Sequence, residues 1–190
     1  GFVIDYLCYG GLYRDVWLEV CPACHVEDTF ILADMYRHIR VELTCTKGDP
    51  QPLSLAVMDP DTNRCLALHE DESGSGVQEF NVPDAELWSP DHPKLYTLKV
   101  MYGDDVRSYT FGFRSIRLGA FRENVNDDWI YINEEKTFLR GLNRHQSYPY
   151  VGYAMPSSMQ VEDARILKSE LHVNTVRTAH YPQAQSFIDA

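Results

Sequence analysis

The chain has 190 residues, 44% of them apolar and 24% charged, which is the composition of a folded globular protein rather than a disordered one. Its net charge of −11 is concentrated in residues 16–112, which hold 7 Lys or Arg against 17 Asp or Glu, whereas residues 113–190 hold 9 of each. An acidic body repels a phosphate backbone, which argues against nucleic acid as a partner. No run approaches the roughly 18 apolar residues of a membrane span.

The N-terminal Gly1-Phe-Val-Ile-Asp5 shows no basic stretch or cleavage site, which says nothing about export if the chain is internal to a longer protein. The 5 cysteines are an odd number, which argues against a complete disulfide framework and leans toward a reducing, cytoplasmic compartment. Cys21-Pro-Ala-Cys24-His25 fits the spacing of covalent haem attachment. It lies between two strand-like runs with nothing to single out a second axial ligand, and one C-x-x-C falls short of the four ligands of a structural zinc site. The thiols read as residues of a strand connection.

From Val16 to Phe111 the sequence is a series of short β-rich runs: Val16–Val20, Thr29–Ala33, His38–Cys45, Leu53–Asp59, Cys65–His69, Val77–Val82, Leu95–Tyr102 and Arg107–Phe111. Ile39-Arg-Val41-Glu-Leu43 and Tyr96-Thr-Leu98-Lys-Val100 alternate apolar and polar residues, the mark of a strand with one buried face. Gly48-Asp-Pro50, Asp59-Pro-Asp61, Asp71-Glu-Ser-Gly74-Ser-Gly76 and Gly103-Asp104 separate the runs. About seven strands in about 100 residues predict an immunoglobulin-like β-sandwich over 16–112.

Beyond Arg114 the pattern changes. Trp129–Ile132 and Lys136–Leu139 predict a hairpin around Asn133-Glu-Glu135, followed by a strand over Phe138–Leu142. Ser157-Ser-Met-Gln160 fits a capping box, and Val161, Ala164, Leu167 and Leu171 form an apolar stripe on the helix that follows. Glu162, Asp163, Arg165, Lys168 and Glu170 take the solvated side. Asn174–Ala179 is a second strand, so that strand, helix and strand make a βαβ unit. His145 and His180 then stand just past the C-terminal ends of the two strands. In a (β/α)8 barrel those ends form the rim of one pocket.

At this point the residues resemble glycoside hydrolase family 2. Asn174-Thr-Val-Arg177-Thr-Ala-His180-Tyr181-Pro182 with Phe187 resembles the family's first signature, and Leu139-Arg-Gly141-Leu-Asn143-Arg144-His145-Gln its first barrel strand. Leu87-Trp-Ser-Pro-Asp-His-Pro93, Leu95-Tyr-Thr-Leu98 and Phe111-Gly-Phe-Arg114 resemble the end of its central sandwich. Asp5-Tyr-Leu-Cys-Tyr-Gly10-Gly11-Leu-Tyr-Arg14-Asp15 resembles the exit from its N-terminal sugar-binding domain. The resemblance implies a mainly β chain: 1–15 closes the sugar-binding domain, 16–112 is the sandwich, and 113–190 opens an incomplete (β/α)8 catalytic barrel. The pattern is most similar to β-galactosidases, with β-glucuronidases and β-mannosidases as alternatives.

Such enzymes are retaining hydrolases with two glutamates, one protonating the leaving oxygen and one attacking the anomeric carbon. The resemblance implies that both lie beyond residue 190, so that the chain alone is inactive. Asn133-Glu134 only superficially matches the acid/base pair, because it precedes the first barrel strand. Residue by residue, the resemblance implies that His145 and His180 contact sugar hydroxyls and that Arg177 keeps the nucleophile ionised. Asp5 would approach the galactose 6-hydroxyl, partly through a sodium ion. No cofactor is implied within this stretch, with magnesium and sodium as ions of the whole protein. Asn133-Glu-Glu-Lys136 departs from the family's Asn-Gly hairpin, which predicts a longer or differently shaped turn. Gln146 stands where a glutamate is common, a departure that bears on sugar specificity.

The expected partner is a β-linked sugar. A reading of another class is a stand-alone sandwich that binds carbohydrate or protein. An open parallel sheet with bare apolar faces is unstable in water, so the tail is expected to pair with another copy through the truncated barrel, to fold onto the sandwich or to be poorly ordered.

Overall fold

The structure, a computed structural model, describes residues 10–46, 48–72, 74, 76–119, 121–122 and 125–190, with the side chains of 121–122 and 125–126 left aside. The chain folds as two compact units, one spanning Glu19–Phe138 and the other joining the stretch up to Leu18 with Leu139–Ala190.

The first unit is built on seven antiparallel strands. β1 (Val26–Ala33), β2 (His38–Cys45) and β5 (Gly76–Asn81) form one sheet in the order β1-β2-β5. β3 (Leu53–Asp59), β4 (Arg64–Asp71), β6 (Tyr96–Tyr102) and β7 (Asp105–Phe111) form the other in the order β4-β3-β6-β7. The alternation seen in the sequence sorts residues between faces. Ile39, Val41 and Leu43 point inward from β2, Leu55 and Val57 from β3, and Leu98 and Val100 from β6, all buried in one core with Val82 and Phe113. This is the expected immunoglobulin-like sandwich.

Two local devices fix its strand ends. Gly103, at φ +56°, occupies the first central position of the two-residue turn that pairs Tyr102 with Asp105, a conformation without steric cost for glycine. The buried Asp105 carboxylate accepts the Val26 N–H at 2.9 Å and is forked by Arg107, which ties β7 to the start of β1. Burial pushes this carboxyl up, but the Val26 N–H and the Arg107 guanidinium together hold it below the usual carboxylate range.

The unit continues as β8 (Ile116–Leu118), the short pair β9 (Phe121–Arg122) and β10 (Val125–Asn126), and the hairpin β11 (Ile130–Ile132) and β12 (Glu135–Thr137). β8, β11 and β12 make a three-stranded sheet in the order β12-β11-β8. The predicted hairpin is present, but its turn is not longer. Ile132 pairs with Glu135 across two residues, and Asn133 and Glu134 both take positive φ, at 51° and 63°. That is the backbone of a tight type I′ turn. Asn133 tolerates it because its side chain accepts the Ser115 N–H and donates to the Trp88 carbonyl.

Val16–Val20, read as a strand in the sequence, is irregular. Val16, Trp17, Leu18 and Val20 are all exposed. β propensity alone does not make a strand when no neighbour pairs with its backbone.

In the second unit β13 (Gly141–Arg144) runs parallel to β14 (Thr175–Thr178), with α1 (Ser157–Ser169) between them and a short α2 (Gln185–Asp189) after. The predicted βαβ unit is therefore formed, and no closed barrel is present among the described residues. The expected capping box is not: the residue preceding α1 is Pro156 and no side chain caps the helix. Gln160 is instead fully buried, while Val161 and Leu171 of the predicted stripe are exposed. The buried side of the helix is marked by an amide, for a reason found at the end of β13.

Candidate functional site

The parallel register pairs Asn143 with Arg177 and Arg144 with Thr178, so β13 and β14 end level with one another. The next residues carry the two predicted histidines to the same place. The rings of His145 and His180 meet edge to face, with centroids 5.4 Å apart and planes at 82°. Tyr181 closes a third side, its ring 6.1 Å from that of His145. His145 is half-buried and His180 exposed, and the Ala179–His180 peptide is cis.

The backbone on each side of His145 is fastened to the His180 segment. Ahead of it, the Arg144 carbonyl accepts the Ala179 N–H at 2.9 Å. Behind it, the Gln146 N–H donates to the Tyr181 hydroxyl at 3.1 Å, and the Gln146 side-chain oxygen accepts the Ala184 N–H at 2.9 Å. Gln146 is buried, so its side chain serves as a brace between the two loops.

Arg177 is exposed at the end of β14, with Nη1 3.5 Å from the Asn143 side-chain oxygen. The Arg177 guanidinium thus lies beside the Asn143 side chain, two positions before His145 in sequence. Imidazole nitrogens can both donate to and accept from hydroxyl groups, and a guanidinium fork suits a carboxylate. Such an arrangement can orient a polyol and hold an anionic group beside it.

Asp5 lies outside the described residues. Among the described residues no group of three or more His, Cys, Asp or Glu side chains is placed to hold a metal ion. In the Cys21-Pro-Ala-Cys24-His25 stretch, Arg107 Nη2 donates to the Cys21 sulfur at 3.1 Å, Cys24 packs on the sandwich core and the His25 backbone N–H donates to Thr46 Oγ1 at 3.0 Å. Glu134 is a turn residue in an ion pair with Arg117 at 2.7 Å. Hydrogen bonding from that guanidinium holds its carboxyl below the usual range, opposite to the elevated value a general acid needs.

Asp163 is not simply solvated surface charge, because its carboxylate accepts Nε of Arg144 at 3.0 Å and Nη2 at 2.7 Å. Glu162 does stay on the outer side, paired with Arg165 at 2.7 Å. The sequence reading missed the residues around Arg144. Gln160 Oε1 accepts Nη2 at 2.8 Å, Gln183 Oε1 accepts Nη1, and the Phe187 ring lies 3.9 Å beneath the guanidinium carbon. The available signal was a charged residue at the end of an apolar strand, with an amide where the helix should be apolar.

Comparison with known proteins places most of the chain in one family. Residues 24–114 match the family model described as Glycosyl hydrolases family 2, and residues 124–190 match Glycosyl hydrolases family 2, TIM barrel domain. The chain is 37% identical over 201 residues to the beta-galactosidase of Thermoanaerobacter pseudethanolicus, covering 100% of this chain and 26% of that protein. It is 39% identical over 214 residues to the beta-galactosidase of Thermoanaerobacterium thermosulfurigenes, covering 100% and 28%. Among solved structures, Faecalibacterium prausnitzii beta-glucuronidase superposes with a TM-score of 0.76 at 28% identity, covering 88% of this chain and 26% of that one. The chain thus spans about a quarter of the length of the relatives it matches.

Proposed function

Because this chain belongs to glycosyl hydrolase family 2, we propose that the whole protein is a retaining hydrolase acting on terminal β-galactosides, to which these residues supply part of the sugar-binding rim. The observation that carries this reading is the pairing of His145 with His180 at the level ends of two parallel strands. In parallel barrels that end of the strands holds the active site.

In this mechanism His145 and His180 hydrogen-bond to the sugar hydroxyls, and those bonds strengthen as the ring flattens toward an oxocarbenium ion. Arg177 lies beside the nucleophilic carboxylate and favours its ionised form. The two reacting glutamates, about 5–5.5 Å apart, come from barrel strands outside residues 1–190. Accordingly the chain alone does not hydrolyse glycosides. Sodium and magnesium serve the whole protein; none of the histidine or arginine chemistry runs through either ion.

The galactoside reading rests on the two beta-galactosidase relatives at 37% and 39% identity. A β-glucuronidase is the second reading, favoured by the likeness of fold to the Faecalibacterium enzyme. Hydrolysis of aryl β-galactoside, β-glucuronide and β-mannoside by the whole protein and by this chain separates them. A galactoside-specific whole protein beside an inactive chain supports the proposal. Preference for glucuronide replaces the substrate, and turnover by the chain alone overturns the placement of the glutamates.

A further inference from the structure

Arg144 carries a charge with almost no access to water, being 6% exposed, in the residue directly before His145. A buried guanidinium is costly unless all its donors and its faces are used. Here they are. Nε and Nη2 reach Asp163, Nη2 also reaches Gln160, Nη1 reaches Gln183, and one face covers Phe187. The Met155 sulfur lies 3.7 Å from Nη2.

These partners come from different parts of the unit. Gln160 and Asp163 belong to α1, Met155 to the loop that follows β13, and Gln183 and Phe187 to the segment that follows His180. We propose that Arg144 is a positioning residue that sets the spacing of the His145–His180 pair. Its backbone carbonyl holds Ala179 on one side, while its side chain holds Gln183 on the other, so the His180 turn is bracketed between two bonds to the residue that precedes His145. Asp163 and Gln160 anchor the guanidinium to the helix and stop it from following the loop. The residue must be arginine because only a planar fork with five donors reaches three side chains at once while stacking on a ring; a lysine ammonium has three donors and no face.

The significance of the spacing rests on the sugar-binding reading of the two histidines, but the test uses no sugar and no turnover. The isotope-labelled chain is compared with Arg144→Lys and Asp163→Asn by NMR, recording the cross-peaks between the His145 and His180 ring protons. Cross-strand contacts between Gly141 and Thr175 report whether β13 and β14 remain paired. A supporting shell that loosens by about 1 Å, starting from 5.4 Å, weakens the ring cross-peaks about threefold through their sixth-power distance dependence. The expected result is that loss in Arg144→Lys, with a smaller loss in Asp163→Asn, while the Gly141–Thr175 contacts persist in both. Unchanged ring cross-peaks in Arg144→Lys overturn the proposal. So does their disappearance only together with the strand contacts, which would make Arg144 a general structural residue. If Arg144→Lys fails to fold, Asp163→Asn decides by the same two criteria.

Discussion

The Tyr96 hydroxyl accepts the Glu86 backbone N–H at 2.7 Å, reaching from the first residue of β6 to the main chain ten positions upstream. Tyr96 is 1% exposed, and its ring packs edge to face on Phe113 with centroids 5.7 Å apart. One side chain therefore fills the core of the sandwich and fixes the irregular crossing that leads into β6. This is the tyrosine corner of immunoglobulin-like folds. Replacing it by phenylalanine keeps the packing and leaves the Glu86 N–H without its acceptor. Tyr96→Phe is expected to destabilise the sandwich by about 1–3 kcal/mol, read as a lower urea midpoint with an unchanged slope. An unchanged midpoint would show that the bond adds nothing to stability.

A second prediction concerns acid. Lys94 Nζ lies 2.7 Å from Asp59 and is also paired with Asp61. The Lys94 hydrogen bond, assisted by the Thr62 hydroxyl, pushes the Asp59 carboxyl down to about 2. Lys94, facing two carboxylates, is pushed further above its ordinary value and stays charged throughout the acid range. A depressed carboxyl stabilises the fold fully above its unfolded value of about 4 and loses that contribution as pH falls toward 2. Asp59→Asn should therefore be less stable than the parent chain at pH 6, with the gap closing between pH 4 and pH 2. Urea titrations of both proteins at those pH values check it, and a constant gap would contradict the assignment.

The comparison of sequence with structure shows which physics is local. Period-two alternation in Ile39–Leu43 and Tyr96–Val100 was legible because each strand has one wet and one dry face. The βαβ unit was legible because its turn residues and helix length leave few alternatives. Val16–Val20 misled because its residue types suit a strand, while strand formation depends on a partner that sequence does not supply. The α1 stripe misled for the opposite reason. Gln160 faces inward because Arg144 needs an acceptor there, and that demand comes from another strand. His145 and His180 could be placed on one rim from their positions after matched strands. The clamp beside them could not, since it gathers residues from four places that are adjacent only after folding.

Gly141 offers a test of how tightly that rim is built. A Cβ there would overlap the Thr175 carbonyl oxygen and crowd its methyl group, because β13 and β14 approach closely at their first pair. The obstruction on one side is backbone, which cannot rotate away. Gly141→Ala is expected to cost about 1–3 kcal/mol through forced separation of the strands. It should also weaken the His145–His180 cross-peaks, because both histidines follow from this register. Retention of the parental melting temperature would show that the strands separate without penalty.

The last prediction separates binding from folding at the rim. His180 is exposed and contributes one face of the histidine pair, so its removal should cost the fold about 1 kcal/mol or less. If it stabilises charge developing on the sugar, its loss should act on the transition state more than on the ground state. In the whole protein, His180→Ala is expected to lower kcat for the aryl galactoside by about 10²–10³ with a smaller change in KM. Glu134→Gln, at the Arg117-paired turn, should leave kcat unchanged, because that carboxylate is held ionised by its pair with Arg117. A fall in KM affinity alone for His180→Ala would make the histidine a ground-state contact. A large fall in kcat for Glu134→Gln would restore it as a candidate acid.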